Sequence, residues 1–453
     1  MKNSKIHTVT IESIDLDGKG VSHVDGKVVF INQVLPTEIV EIEITKQKSN
    51  HSLAKVLNIL HKSDKRVTPP CPNYAMCGGC SWQHIDIDTQ IIYKQQILLE
   101  TLQHIGNVTP NNIIPPLTAN SQHYRHRARL SVRFVHKKDK VLVGFRERDK
   151  PYVVDMQECL ILPIAVSELL LELQNLIITL DIKTAIPQIE VANGDNLIVL
   201  LIRVMVDKLS DHDTQKMIDF VDNYNNGMHI NKLQIWLQTG GLDSVKVFYP
   251  THINHELKQN IQLQYSLPEL GIVMPYYPTE FTQINPAINQ AMVKSALEFL
   301  NLTQNDKIID FFCGIGNFTI AIAKTSGSQD ILGIEGSSAL TTRAKENAIL
   351  NNIHNIKFLN KNLFEIDEEY LLNLGYYNKW LLDPPRDGCF QLVKSITPAS
   401  AAEIIVYISC NPATLARDLD VLVHQKNYTL LLAGVMDMFP HTAHVESIAL
   451  FEK

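Results

Sequence analysis

From about Pro286 to the end of the chain, helical and strand-like segments alternate, and this limits the possible fold more than any other feature. AINQAMVKSALEFLNL has helical periodicity, KIIDFFCG is an apolar run ending in a glycine turn, NFTIAIAK is helical and DILGIEG strand-like. ALTTRAKENAILNN continues as a helix, and NIKFLNKNLF, NKWLLDPP, AEIIVYISC and the closing VESIALF as strands. Short apolar runs joined by helices form a parallel sheet covered on both faces. The pattern predicts a doubly wound, Rossmann-like α/β domain, which binds ligands at the carboxyl ends of its strands.

The remaining chain reads differently. At 453 residues the protein is long enough for two or three domains. HTVTIESI, KVVFI, EIVEIEIT and LAKVLNIL are short alternating strands separated by Asp17-Gly18, Asp25-Gly26 and a polar stretch at 46–50. This spacing suggests a closed β-barrel of OB type. Thr68-Pro69-Pro70 marks a boundary. A cysteine-rich loop follows at 71–85, then a helix over about 87–106 from the spacing of Ile91, Ile92, Leu98, Leu99, Leu102 and Ile105. ARLSVRFV, KVLVGFRE and PYVVDM read as strands, 166–180 as an apolar helix, and IEVA, NLIVLLIRV and KLQIWLQ as strands, an α+β pattern. We divide the chain into an N-terminal barrel (1–66), a central α+β unit (67–280, its helix 87–106 a candidate to pack on the next unit) and the Rossmann-like unit (281–453).

No apolar run reaches transmembrane length, and the polar, alternating start lacks the centre of a signal peptide. The expectation is a cytoplasmic protein with no membrane partner. The net charge of −7 conceals two regions. Residues 1–150 carry 21 Lys and Arg against 14 Asp and Glu, and the segment 124–150 alone has ten against three. Such a segment is either a phosphate-binding surface or a solvated basic hairpin, and charge alone does not separate them.

Cys71, Cys77 and Cys80 are spaced C-x5-C-x2-C, with Gly78-Gly79 letting the backbone curl so that the thiolates converge. In a cytosolic chain this reads as ligation rather than disulfide bonding. Cys159 is the nearest candidate for a fourth ligand. Four thiolates suit zinc or a [4Fe–4S] cluster equally. The spacing is not the C-x3-C-x2-C of radical enzymes.

Asp310-Phe-Phe-Cys-Gly-Ile-Gly316 lies where a strand meets a helix, a turn that lets a ligand approach the backbone. Glu335 ends the next strand, where an acid can accept both hydroxyls of a ribose. Asn362 and Asp383 end the two following apolar runs. Together these point to a nucleoside-type cofactor. Thr319 stands where a dinucleotide fingerprint has its third glycine, which favours S-adenosylmethionine over NAD.

Cys410 sits between a buried strand and an Asn-Pro turn opening a helix. A thiol at a helix N-terminus is expected to have a lowered pKa and to serve as a nucleophile, although a free cysteine is more often a small core residue. Glu446 enters an apolar strand after His441 and His444 and is a candidate general base. Cys313 reads as packing, and Cys389 has no evident partner.

CPNYAMCGGCSWQHI, HYRHRARLSV, DFFCGIGNFT, LLDPPRDG, ISCNPATLARD and FPHTAHVES resemble, in that order, segments of the S-adenosylmethionine-dependent RNA uridine-5 methyltransferases. The barrel resembles their TRAM domain. With the cysteine motif, the chain is most similar to the branch acting on 23S ribosomal RNA. The resemblance implies a class I methyltransferase fold, a [4Fe–4S] cluster on Cys71, Cys77, Cys80 and Cys159, and an iron–sulfur character for the central unit. It implies cofactor contacts at Gln283, Phe312, Asn317, Glu335, Asn362 and Asp383, a nucleophile at Cys410 and a base at Glu446. The aromatic doublet usual before the glutamine is reduced here to Phe281-Thr282. A flipped-out or single-stranded uridine is expected, held by Arg125, Arg127, Arg129, Arg133, Lys137 and Lys138 on a monomeric protein. The competing readings are a transfer-RNA uridine-5 methyltransferase, a cytosine-5 methyltransferase, and a non-catalytic RNA-binding or ribosome-assembly factor. An NAD dehydrogenase is a more distant one.

Overall fold

The computed structural model describes residues 6–251 and 262–453; residues 1–5 and 252–261 lie outside them. The strands Ile6–Thr10, Ser13–Ile14, Gly20–Val24, Lys27–Ile31, Ile39–Gln47 and His51–His61 make one six-stranded sheet. Its two end strands, Ile6–Thr10 and Ser13–Ile14, are consecutive in the chain. Glu12 N–H donates to the Val21 carbonyl at 2.9 Å, so the sheet curls back on itself around Val9, Ile11, Val29, Ile31, Val40 and Ile42. Gly20–Val24 (GVSHV) is too polar to be read as a strand from its sequence.

The barrel is fastened at two points. Arg66, beyond its last strand, donates from Nε and Nη2 to the fully buried Glu38 carboxylate at 2.5 and 2.7 Å. Gly18, at the tip of a barrel turn (φ +77°), lies so close to Trp82 and Ala443 that a Cβ would come within 2.5 Å of both. The Trp82 indole N–H donates to the Gly18 carbonyl at 3.2 Å.

The central sheet runs in the order Lys246–Tyr249, Lys232–Gln238, Leu197–Arg203, Gln188–Asn193, Arg127–Val135, Lys140–Gly144. The helices Ile164–Ile178 and Asp211–Asn226 share a core with Leu130, Val132, Ile189 and Leu200. Leu197 and Val199 belong instead to the core shared with the catalytic sheet, so this strand is buried on both faces. PYVVDM is not a strand. It makes one bridge, Arg146 to Val153, and then carries Met156 and Cys159 to the cysteine loop.

The C-terminal sheet runs Ile356–Asn360, Asp330–Glu335, Lys307–Phe311, Lys379–Leu382, Ile404–Ser409, Glu446–Glu452, Thr429–Met436, Asn112–Ile113. The first five strands are parallel, as expected. Glu446–Glu452 is antiparallel to both of its neighbours, so the sheet is mixed rather than wholly parallel. The reason lies in the connection: only residues 437–445 separate the last two strands, too few for a crossover helix.

The helix Ile87–Gly106, capped by Asp86, packs against the helix Pro412–Asp420. Asn112–Ile113 pairs with Leu432–Ala433 at the sheet edge. A segment from the first quarter of the chain therefore completes the catalytic layer. No helix among the described residues is long and apolar enough to cross a membrane.

Candidate active site

The strand Ile404–Ser409 is almost wholly buried and delivers Cys410 to its carboxyl end. The Asn411 side chain then accepts from Ala413 N–H at 3.1 Å, and Pro412 opens the next helix. Ser409 and Ser447 are the last register partners, so Cys410 and Glu446 each lie one residue beyond that pair. The inserted strand is what brings the thiol and the carboxylate to one edge. Cys410 is half-buried, and Glu446 is only 4% exposed.

The electrostatics of Cys410 contradict the expectation of a lowered pKa. Burial, with Glu446 and Asp383 nearby, pushes the thiol up to about 12; Arg386 opposes them. Desolvation and two carboxylates outweigh one helix end. Burial and Asp383 raise Glu446 to about 8, against Arg386 and Lys94. Burial raises Asp383 itself to about 7.

Cys410, Asn411 and Arg386 open onto a cleft of about 1440 Å³ that reaches the barrel at Asp17 and the cysteine loop at Gly78 and Gly79. Of the six basic residues expected to hold RNA, Arg125 and Arg129 line it, joined by Arg146, Arg148 and Lys150 of the same basic segment. Arg127 departs from the expectation. Its guanidinium donates to the carbonyls of Pro278 and Glu280 and, at 3.3 Å, to Thr282 Oγ1. That fixes the chain just before Gln283 and leaves little of Arg127 for a phosphate. Arg133, Lys137 and Lys138 are exposed but do not line the cleft.

The cofactor candidates cluster around the turn after Lys307–Phe311. Gly316 (φ +95°) leads into the helix Asn317–Ser326, whose N-terminus has no side-chain cap. Glu335 accepts from Gly314 N–H at 3.1 Å and Ser337 N–H at 2.7 Å, holding the carboxylate at the strand end. Phe312 (φ +65°) lies against Phe364, and Asn362 accepts from Phe364 N–H at 3.1 Å. Asn317 is spent otherwise than expected: its side chain exchanges hydrogen bonds with Asn289 and accepts from Tyr265. Gln283 shares a small cavity with Asn193 and Asn289, while Phe281 is exposed.

Asp310 was quoted within the motif but given no role. It is fully buried and raised by burial to about 8. Thr319 Oγ1 donates to its Oδ2 at 2.5 Å, while Oδ1 has no partner. An orphaned buried oxygen beside an uncapped helix N-terminus and a fixed strand-end carboxylate fits a polar, nucleoside-type cofactor.

Cys71, Cys77, Cys80 and Cys159 line one cavity with Phe145 and Met156, and none forms a disulfide. Burial raises all four, Cys80 to about 12 and Cys159 to about 11. Gly79 N–H points at Cys77 Sγ (3.4 Å). Arg148 donates to the carbonyls of Tyr74, Cys77 and Cys80, fixing the loop. Among the described residues, the group of three ligand atoms within 4.8 Å of one another is Asp181, His212 and Asp213; the cysteine sulfurs are spaced more widely. Converging buried thiols with raised pKa values fit a cationic centre that would ionise them. Of the remaining cysteines, Cys313 packs in the core, and Cys389 gains the partner not evident from sequence: its thiol donates to Tyr407 Oη at 3.4 Å and its N–H to Asp418 at 2.7 Å.

Residues 88–453 match the model of the tRNA (uracil-5-)-methyltransferase family, and residues 2–57 that of the TRAM domain. The chain belongs to this methyltransferase family. Two uracil-5-methyltransferase relatives, each named 23S rRNA (uracil(1939)-C(5))-methyltransferase RlmD, show the extent of the likeness. The Chromobacterium violaceum protein is 46% identical over 98% of this chain and 84% of its own length. The Nitrosospira multiformis protein is 44% identical over 98% of each. The crystal structure of the Pyrococcus abyssi tRNA (uracil-54, C5)-methyltransferase in complex with S-adenosyl-L-homocysteine shares the fold, with a TM-score of 0.73 and 21% identity over 98% of this chain and 100% of that one.

Proposed function

We propose that the protein methylates C5 of a uridine in 23S ribosomal RNA, as a monomeric cytoplasmic enzyme. The observation that carries this reading is the placing of Cys410 and Glu446 each one residue beyond the register pair Ser409–Ser447, with Cys410 lining a basic cleft. The full-length likeness to proteins named for 23S rRNA supports the substrate.

Cys410, as thiolate, adds to uracil C6 and makes C5 electron-rich. Arg386 is the cation whose field favours that thiolate. When bound, S-adenosylmethionine supplies an electrophilic methyl group, which C5 takes, leaving S-adenosylhomocysteine. Glu446 then removes the C5 proton; the C–H electron pair forms the C5–C6 double bond and expels the Cys410 thiolate. Glu335 would hold the cofactor ribose, with Phe312, Asn362, Gln283 and Asp383 around it, and Asn317 contributing its place at the helix N-terminus. Arg125 and Arg129 would hold RNA phosphates, with the target base flipped from its stack.

Cys71, Cys77, Cys80 and Cys159 would hold a [4Fe–4S] cluster. The cavity that gathers Cys71, Cys77, Cys80 and Cys159 supports a centre held by four thiolates, and the resemblance to the 23S rRNA branch supports iron–sulfur over zinc. The methyl transfer needs no electron, so we assign the cluster a structural role between the barrel (1–66), the rest of the central unit (67–280) and the catalytic unit (281–453).

The family model is named for tRNA, which favours transfer RNA as the second reading. Mapping 5-methyluridine in ribosomal and transfer RNA from cells with and without the gene separates the two. Loss confined to 23S rRNA supports the proposal, and loss confined to transfer RNA refutes it.

A further inference from the structure

The helix Ile87–Gly106 contributes one charged side chain to the catalytic core. Lys94 is fully buried, and its ammonium donates to Asp437 Oδ1 at 2.7 Å and to the Phe439 carbonyl at 2.9 Å. Asp437 directly follows Met436, the register partner of Glu446. Lys94 is thus tied at two points to the connection leading into Glu446, the first of them directly after the neighbouring strand, and its charge acts on Glu446.

A buried ammonium costs several kcal/mol in lost hydration, which a partner carboxylate only partly offsets. A neutral pair, an amide donor facing an asparagine in place of Asp437, would tie the same backbone without burying either charge. What a neutral donor lacks is a positive charge acting on a third group. The charged and titratable groups around Glu446 come from four elements: Asp383 and Arg386 after Lys379–Leu382, Cys410 after Ile404–Ser409, Asp437 after Thr429–Met436, and Lys94 on the helix. His441 and His444 precede Glu446 on the connecting segment, and burial lowers the pKa of both, favouring neutral rings. Arg386 and Lys94 are the two cations acting on Glu446. Arg386 is exposed in the cleft, where RNA and solvent compete for it. Lys94 is out of their reach.

We propose that Lys94 is a positioning residue for the proton-transfer step: its ammonium, pinned by Asp437 and the Phe439 carbonyl, is a fixed cation beside the Glu446 carboxylate. It holds the connection that aims the base and favours its ionised form while RNA occupies the cleft. The inference rests on Glu446 acting as the base.

The test uses the whole enzyme with S-adenosylmethionine and RNA. It follows the methylated covalent RNA–protein adduct in single turnovers from pH 6 to 10. Lys94→Met/Asp437→Asn removes both buried charges, so no carboxylate is left unpaired. The pH midpoint of adduct release should move about one unit to alkaline, slowing release about tenfold at pH 7 relative to methyl transfer. An unmoved midpoint in a variant with a native melting transition overturns the proposal. If that double variant does not fold, Lys94→Gln with Asp437→Asn keeps a neutral hydrogen-bonded pair and carries the same test, and Lys94→Gln alone must then also leave the midpoint unmoved for the proposal to fail. Glu446→Gln is the separate arm. Normal release from that variant refutes the base itself, whereas a stalled adduct there with an unmoved Lys94→Gln midpoint refutes only Lys94.

Discussion

The backbone N–H of Ser81 donates to the carbonyl of His441 at 2.9 Å, and Trp82 N–H shares the same acceptor. Ser81 directly follows Cys80, and His441 lies in the connection before Glu446. Ala443 N–H returns a bond to Ser81 Oγ at 3.2 Å, and Gln90 accepts from His441 N–H at 2.8 Å. The cysteine loop is therefore built into the support of the proposed base. If the four cysteines hold the proposed cluster, its loss by Cys80→Ser or by iron chelation should loosen residues 439–445 before it unfolds the catalytic sheet. Amide hydrogen exchange there should rise roughly fivefold, the equivalent of one net hydrogen bond of about 1 kcal/mol. Unchanged protection would separate the loop from the base.

Arg127 and Arg129 lie on one strand but make different contacts: Arg127 is spent on the carbonyls of Pro278 and Glu280, while Arg129, 70% exposed at its side chain, pairs with Glu190 at 3.0 Å. Arg129→Ala and Arg146→Ala should each reduce the salt dependence of RNA binding by about one in slope. Arg127→Ala should leave that slope unchanged and weaken cofactor binding, because it holds residues 278–282 ahead of Gln283. Titrating RNA affinity against salt, with cofactor affinity measured in parallel, checks both.

The barrel attachment depends on Arg66. Removing one partner of a buried pair costs about 3 to 5 kcal/mol, so Arg66→Ala should lower stability by that order. Arg66 and two backbone N–H groups lower the Glu38 pKa below its ordinary value of 4.5, although burial opposes them. A depressed carboxylate stabilises the fold above its unfolded pKa and loses that contribution as pH falls through the folded one. The gap between native and Arg66→Ala melting temperatures should therefore be full at neutral pH and close below 4.5.

How far the sequence revealed this arrangement depends on range. The parallel strands and the positions of Glu335, Asp383 and Cys410 were legible because each is set by a local apolar run and the turn that ends it. The antiparallel insertion of Glu446–Glu452 was not, because strand order is decided by pairing between distant segments; the nine-residue connection was the available signal. Arg127 was misread because it shares the alternation of Arg129, and only the neighbouring carbonyls at 278–280 distinguish them. The helix Asp211–Asn226 carries Met217, Phe220, Val221 and Tyr224 at helical spacing, a signal that was available but is embedded in an otherwise polar segment. The raised pKa of Cys410 arises from Glu446 and Asp383, which no local window contains.

If Glu446 is the base, it acts only when ionised, and its pKa is about 8. Adduct release should accelerate as pH rises through that value and then level off. Rapid-quench measurement of release against pH checks the direction; a release step that slows over this range would require an acid instead.

The central claim is that Cys410 adds to the pyrimidine ring. 5-Fluorouridine RNA has no C5 proton to lose, so the enzyme should be trapped on it as a covalent complex in the presence of S-adenosylmethionine. Denaturing electrophoresis should show that complex for the native protein and none for Cys410→Ala, which should also lose all methyl transfer. A Cys410→Ala protein that still forms the complex or still turns over would contradict the account.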